Sequence, residues 1–196
     1  MSRQVIRIDF GTTYSSVALM EIGSAEWPRL LQFRHATAHV PTILLVDPND
    51  QSVISWGWGA HGAIRTNTRF EVKQYFKRDL GVSNDANHFC LMYLIKLADH
   101  IRHTKNLHEL SEDDFATAIG VPANWTSERR EILKNLAIEA GFPDVRILAE
   151  PVAAMHNLRC QPVRRFKFGD RPEKYMVIDF GGGTLDICIV RTDELG

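Results

Sequence analysis

The tetrapeptide Ile-Asp-Phe-Gly occurs twice in this chain, at residues 8–11 and again at residues 178–181. Each copy ends an apolar, β-rich run. A turn of small and hydroxyl residues follows each copy, and a second β-rich run comes after the turn. Alternating apolar runs on either side of a glycine-containing turn are typical of β-hairpins. The repeat therefore predicts two matching hairpins, each with an acid at the end of its first strand.

The two turns have the chemistry of a phosphate site. Glycine lets the backbone approach an anion closely, and successive N–H groups in a tight turn form an anion-binding concavity. Thr12, Thr13 and Thr184 would add hydroxyl donors, while Asp9 and Asp179 suit a hydrated Mg²⁺ ion, which takes one or two carboxylates plus water and phosphate oxygens. Asp and Gly are also ordinary turn residues. The repetition in register favours phosphate binding, and the absence of a GxxxxGK segment excludes a P-loop.

Composition limits the class of protein. A chain of 196 residues, 44% hydrophobic and 24% charged, suits a globular protein, and its net charge of −1 gives no basic surface for nucleic acid. Three widely spaced cysteines without a CxxC pair favour a reducing, cytoplasmic setting. No signal peptide and no apolar run of about 20 residues is evident, so we expect no membrane partner.

Periodicity predicts a mixed α/β sheet, because strands alternate with helices after an initial meander. The best-patterned helix follows Thr126 and Ser127, two plausible caps, and stops at Gly141. The other expected elements are a hairpin over residues 4–21, two short strands around the turn at residues 47–50, partial helix over 57–80, a buried helix from residue 89, a strand ended by Pro122, and a strand and helix around Glu150.

Four ordered segments carry a family resemblance: "IDFGTTYSSVAL", "TNTRFEVKQYFKRDLG", "GVPANWTSERREILKNLAIEAGFPDVRILAEPVAA" and "VIDFGGGTLDICIV". They resemble the N-terminal ATPase domain of DnaK-type chaperones, the seventy-kilodalton heat-shock family, within the actin, sugar kinase and heat-shock ATPase superfamily. The resemblance implies an α/β, ribonuclease-H-like (actin-like ATPase) lobe with a mixed five-stranded-type sheet, flanking helices and a small inserted subdomain. It assigns residues 1–36 and 115–175 to the core of lobe I, 37–114 to a shortened outer subdomain, and 176–196 to the first hairpin of lobe II.

The resemblance also implies roles for individual residues. Lys73 and Glu150 would act in hydrolysis, the first at the phosphates and the second near the attacking water, together with Asp179. Asp186 would be a further acid near the metal, beside Asp9 and Asp179. The nucleotide-binding residues would be Gly11, Thr12, Thr13, Tyr14, Gly181, Gly182, Gly183 and Thr184.

The expected activity is hydrolysis of ATP to ADP with Mg²⁺, with K⁺ as a further candidate cation, to drive a conformational change. A client polypeptide and co-chaperones would be the partners. One alternative is a nucleotide-gated interaction or assembly protein of the same fold with little hydrolysis; another is a sugar-kinase-like phosphotransferase. A third treats Asp9, Glu150 and Asp179 as a two-metal nuclease triad, against which the glycine turns and the lack of a basic surface argue.

Relatives continue beyond the second phosphate hairpin, whereas this sequence stops at Gly196. We therefore expect a fragment, with weak ATP binding and negligible hydrolysis on its own. An apolar strand without sheet neighbours tends to pair with another chain. The second hairpin is accordingly expected to form a strand-swapped or strand-paired dimer, or else to be disordered.

Overall fold

The computed structural model describes residues 3–24, 26–66, 69–160, 174–181 and 185–191. Its central sheet has six strands, namely β1 (Gln4–Phe10), β2 (Tyr14–Glu21), β3 (Arg29–Leu30), β4 (His39–Pro41), β8 (Phe115–Val121) and β9 (Val145–Ala149). Their order is β3-β2-β1-β8-β9, and β4 also pairs with β2. β1 is antiparallel to β2 and parallel to β8, which is parallel to β9. The predicted mixed α/β sheet is thus confirmed.

Two smaller sheets and four helices complete the described part of the chain. The strands of these sheets are β5 (Ile43–Val46), β6 (Val53–Trp56), β7 (Glu71–Gln74), β10 (Lys174–Phe180) and β11 (Leu185–Arg191). β5 lies between β6 and β7 in a three-stranded sheet, and β10 pairs with β11 in a two-stranded hairpin. The helices are α1 (Gly57–Ala63), α2 (Asn84–Lys105), α3 (Ser127–Glu139) and α4 (Glu150–Cys160), with short 3-10 helices at Arg34–Ala36 and Phe76–Asp79.

One hydrophobic core joins the central sheet to α2. Alternation along β1 buries Ile6, Ile8 and Phe10, while Tyr93 and Leu97 of α2 are fully buried in the same cluster. Full burial of a side chain of this size contributes about 1.5–3 kcal/mol. The segment 37–114 therefore packs on the central sheet through a continuous apolar interior.

Helix ends follow the predicted capping chemistry. The Thr126 hydroxyl accepts a hydrogen bond from the Arg129 N–H at 3.2 Å, so Thr126 is the N-cap of α3 and Ser127 its first helical residue. Gly141, expected as the stop, has φ +92°, which glycine adopts without strain. Helix α4 begins at Glu150, one residue before Pro151.

Residues 57–80 differ in part from the expected helix. Only α1 is α-helical there among the described residues, and β7 forms the edge of the three-stranded sheet by pairing with β5. Tyr75 then adopts a left-handed backbone (φ 62°), which turns the chain into the 3-10 helix Phe76–Asp79. A short strand at a sheet edge depends on its partner, so local sequence alone could not identify it.

The hairpin β10–β11 has two unlike faces. Tyr175, Val177, Cys188 and Val190 pack with residues of α4. The opposite face exposes six apolar side chains, in three cross-strand pairs: Met176 with Ile189, Ile178 with Ile187, and Phe180 with Leu185. No described helix is long and apolar enough to cross a membrane.

We expect the chain to self-associate through this bare face. A fully exposed large apolar side chain has about 200 Å² of solvent-accessible surface. Scaled by their exposed fractions, the six side chains present roughly 700 Å² of accessible surface per copy, close to the ~800 Å² that each partner buries in a standard interface. Light scattering at micromolar concentration should show a dimer that Ile187→Glu abolishes. Ile54→Glu, which changes an exposed isoleucine on β6, should leave the dimer intact; a monomeric wild-type chain would contradict the expectation.

Candidate functional site

A cleft of about 460 Å³ lies between the first hairpin, the 3-10 helix Phe76–Asp79, the β8–α3 connection and the second hairpin. Both Ile-Asp-Phe-Gly corners reach it, through Asp9 and Gly11 from one and Asp179, Phe180 and Gly181 from the other. The other lining residues are Thr12, Thr13, Tyr14, Lys77, Arg78, Pro122, Asn124, Trp125, Arg129, Glu150 and Asp186. The fold thus brings the two copies of Ile-Asp-Phe-Gly, which are far apart in the sequence, to the same cavity.

Carboxylates from three strand ends and one helix start share this cleft. Asp179 and Asp186 are cross-strand partners beside the turn of the second hairpin, and Asp9 ends the first strand of the other hairpin. Burial raises the pKa of Asp9; the nearby Lys77 ammonium lowers that pKa, and the Asp179 carboxylate raises it again. The two aspartates therefore repel each other across the cleft, and a cation between them would relieve that repulsion.

Lys77 is the buried cation of the site. Its side chain is 6% exposed, and its Nζ lies 3.8 Å from Oε1 of Glu150. The ammonium also lies over two aromatic rings, 5.3 Å from the centroid of Trp125 and 5.6 Å from that of Phe10. Burial lowers the pKa of Lys77, while the carboxylates of Glu150 and Asp9 oppose that change.

Glu150 opens helix α4 beside this lysine. Burial raises its pKa, Lys77 counteracts the rise, and Asp9, Asp179 and Asp186 add to it by charge repulsion. A lysine and a glutamate are thus held together in a partly desolvated cleft that three further carboxylates also line. Titratable groups that burial and neighbouring charges perturb together in a cleft mark a candidate functional site.

A buried network of polar groups around Thr42 holds the first glycine turn in place. The Thr42 hydroxyl donates to the Gly11 carbonyl at 2.9 Å and lies 2.8 Å from the Ser15 hydroxyl, while the Thr42 N–H donates to the Thr13 carbonyl at 2.8 Å. These bonds attach the turn to the start of β5. The Thr13 hydroxyl is buried and has no hydrogen-bond partner within the described residues.

Lys73 lies outside this cleft. It sits on β7 opposite Leu44 of β5, its amine pairs with the Glu71 carboxylate, and it lies 5.1 Å from the ring centroid of Phe89. The left-handed turn at Tyr75 separates the two lysines and directs Lys77, four residues later, into the cavity. The structure thus brings Lys77, and not Lys73, to the other expected site residues.

Several lining residues were not anticipated from sequence. They are Lys77, Arg78, Asn124, Trp125 and Arg129. A weak signal existed for Trp125, since an aromatic residue directly before a helix cap often packs at the helix entrance. None distinguished Lys77 from Lys73, because both lie in one charged segment.

The second glycine turn can be described in part. Gly181 lines the cleft, whereas Gly182, Gly183 and Thr184 lie outside the described residues. Within the ranges described, no three His, Cys, Asp or Glu side chains are grouped closely enough to hold a metal by themselves. Asp9 and Asp179 both line the cleft, and one or two carboxylates completed by water and phosphate oxygens are the ligands that Mg²⁺ commonly takes.

Among the described residues, the cleft therefore combines the glycine turn at Gly11, the buried Lys77 ammonium and four carboxylates. This set can bind and polarise a phosphate ester. Comparison of the chain with models of known protein families gives no match.

Proposed function

We propose that this chain binds the phosphates of Mg-ATP between its two glycine hairpins and that the site hydrolyses ATP, in the manner of a DnaK-like chaperone ATPase. The observation that carries the proposal is the pairing of buried Lys77 with partly buried Glu150, Nζ to Oε1 at 3.8 Å, in a cleft that the aspartates of both corners line. Phosphoryl transfer needs positioning and neutralisation of charge more than covalent help from the protein. The Lys77 ammonium, the Glu150 carboxylate and the turn at Gly11 would supply both.

The sheet supports the same proposal. Its order β3-β2-β1-β8-β9, with an antiparallel meander followed by two parallel strands, is compatible with the ribonuclease-H-like lobe that the resemblance implies. The cleft lies where β1 and β8 end and α4 begins, and crevices at the carboxyl ends of parallel strands are the usual ligand sites of α/β sheets.

Each group has a distinct role in the proposed reaction. The turn at Gly11–Thr13 would donate N–H and hydroxyl hydrogen bonds to phosphate oxygens, and the Lys77 ammonium would neutralise the charge that develops on them. Glu150 would accept a hydrogen bond from the attacking water and so orient it. Water adds to the terminal phosphorus as the bond between that phosphorus and the bridging oxygen breaks. The products are ADP and phosphate.

Asp9 and Asp179 would hold Mg²⁺, largely through water. Bound there, the ion would neutralise phosphate charge in addition to the Lys77 ammonium. The chaperone role, with client and co-chaperones as partners, follows from the resemblance and goes beyond this cleft.

Titration calorimetry tests the phosphate site directly. Mg-ATP, Mg-ADP and Mg-tripolyphosphate should all bind the wild-type chain, and tripolyphosphate should retain much of the affinity because the described cleft recognises phosphate. Asp9→Asn should weaken binding at least about tenfold, a loss of about 1.4 kcal/mol. Asp113→Asn changes an exposed acid at the opposite end of β8 and serves as the matched control.

The outcomes separate the candidate functions. Turnover of bound ATP, even at the slow rate expected of this chain on its own, supports the ATPase, whereas phosphate binding with no ADP formed when the protein is in excess over ATP supports the nucleotide-gated interaction protein. Equal affinity of wild type and Asp9→Asn for all three ligands would overturn the assignment of the cleft.

A further inference from the structure

Arg129 connects two distant parts of the cleft wall. It lies in the first turn of α3, and its Nη2 donates to the carbonyl oxygens of Lys77 at 2.8 Å and of Arg78 at 2.6 Å. The same guanidinium carbon lies 4.0 Å from the ring centroid of Trp125. One side chain thus ties the segment that carries Lys77 to the segment that follows β8.

The 3-10 helix that carries Lys77 is short. It spans four residues and follows the left-handed Tyr75; the Arg78 N–H donates to the Tyr75 carbonyl at 3.0 Å, and the Leu80 N–H reaches the Lys77 carbonyl at a long 3.4 Å. Short 3-10 helices have poor hydrogen-bond geometry of their own. The direction in which Lys77 leaves the backbone therefore depends on contacts from outside the helix.

Trp125 shares its ring between the two cations. Arg129 lies 4.0 Å and Lys77 5.3 Å from its centroid. A planar guanidinium can stack on an aromatic ring while one of its nitrogens donates to nearby carbonyls, a combination that the compact ammonium of lysine does not reproduce. Arg129 makes both kinds of contact, through its Nη2 and through the face of its guanidinium.

We propose that Arg129 is a positioning residue, which holds the Lys77 backbone so that the Lys77 ammonium stays in the cleft beside Glu150. Its consequence for catalysis rests on the proposed function, whereas its effect on Lys77 does not. Arg129 also lines the cavity, so direct binding of phosphate by its charge is the competing explanation.

Two variants separate these explanations. Arg129→Lys keeps the charge and loses the fork, and Arg129→Met loses both while retaining an apolar stem. Arg29→Lys, in an exposed pair with Glu26, is the control. Acylation of each lysine in the ligand-free chain is followed by mass spectrometry, with Lys73 and Lys96 as internal references, and thermal unfolding is recorded in parallel.

If Arg129 positions Lys77, both variants should accelerate acylation of Lys77 at least about fivefold relative to the two references, because the protected segment opens locally. Both should also lower the maximal single-turnover rate (kcat), measured with the protein in excess so that slow hydrolysis is recorded, about tenfold while KM changes less than about threefold, the pattern of an interaction that matters in the transition state. Arg29→Lys should change neither quantity.

Other results overturn the inference. A raised KM in Arg129→Met, with Arg129→Lys restored to wild type and Lys77 acylation unchanged, would assign Arg129 to phosphate binding. Parallel acceleration at Lys73, Lys96 and Lys77 with a lower melting temperature would mean general destabilisation. Failure of the wild-type chain to bind phosphate would contradict the proposed function and still leave the acylation result to decide about Arg129.

Discussion

Lys77→Met should reduce ATP hydrolysis about 10²–10³-fold, the usual cost of removing one fixed donor from a developing negative charge. Lys77 is the buried ammonium of the cleft, 3.8 Å from Glu150 and above the rings of Trp125 and Phe10. Methionine keeps the length and the aromatic packing of the side chain while removing its charge. Single-turnover kinetics, with the protein in excess over Mg-ATP so that even the slow hydrolysis expected of this chain is recorded, would measure the effect on the chemical step.

Lys73→Met is the matched comparison, because the family resemblance assigns the same role to Lys73. Its amine pairs with Glu71 on β7, away from the cleft, and we expect hydrolysis to change less than about threefold, as for a surface ion pair of small energy. The reverse ranking, with Lys73→Met inactive and Lys77→Met active, would return the role to Lys73.

Stability should not explain the Lys77 result. Removing one partner of a buried ion pair destabilises a protein when the remaining charge stays buried and unpaired. Because the Glu150 side chain keeps 22% exposure, its carboxylate can still be hydrated in the variant. We expect similar melting temperatures for wild type and Lys77→Met. If the melting temperature of Lys77→Met falls so far that the chain is unfolded in the assay, the Lys77→Arg variant is measured in its place.

Gly11→Ala should disable the first phosphate turn. A Cβ at this position would overlap the carbonyl oxygen of Tyr14, a backbone atom that cannot move without displacing the turn. That carbonyl belongs to the start of β2, and the Gly11 carbonyl is itself bonded to Thr42. We expect Mg-tripolyphosphate affinity to fall at least about tenfold, or 1.4 kcal/mol, and stability to fall by about 1–3 kcal/mol.

Gly62→Ala provides the control for that substitution. A Cβ there meets nothing within 4 Å, and the residue lies in helix α1, where alanine is favoured over glycine by roughly 0.5–1 kcal/mol. Urea unfolding should therefore show unchanged or slightly increased stability, with phosphate affinity unaltered. Unchanged phosphate affinity in Gly11→Ala would exclude the first turn from the site.

Local sequence predicted the elements whose signals are local. The first hairpin follows from the alternation of Ile6, Ile8 and Phe10, and the ends of α3 follow from Thr126 and Gly141, because a cap and a left-handed glycine act within one helical turn. Strand β7 was missed since its pairing partner, β5, is supplied by a distant part of the chain. Strand propensity is mainly a response to such neighbours.

The candidate site divides in the same way. The repeated Ile-Asp-Phe-Gly by itself determined two acid-ended corners with glycine turns, because residue type sets what a tight turn and a carboxylate can do. Tertiary structure alone decided that Lys77, rather than Lys73 four residues earlier, lies beside Glu150. It also decided that Arg129 bonds to the Lys77 carbonyl and that Trp125 contacts both cations. Those choices depend on a left-handed turn at Tyr75 and on contacts made across some 50 residues of chain, so no pattern within the segment carries them.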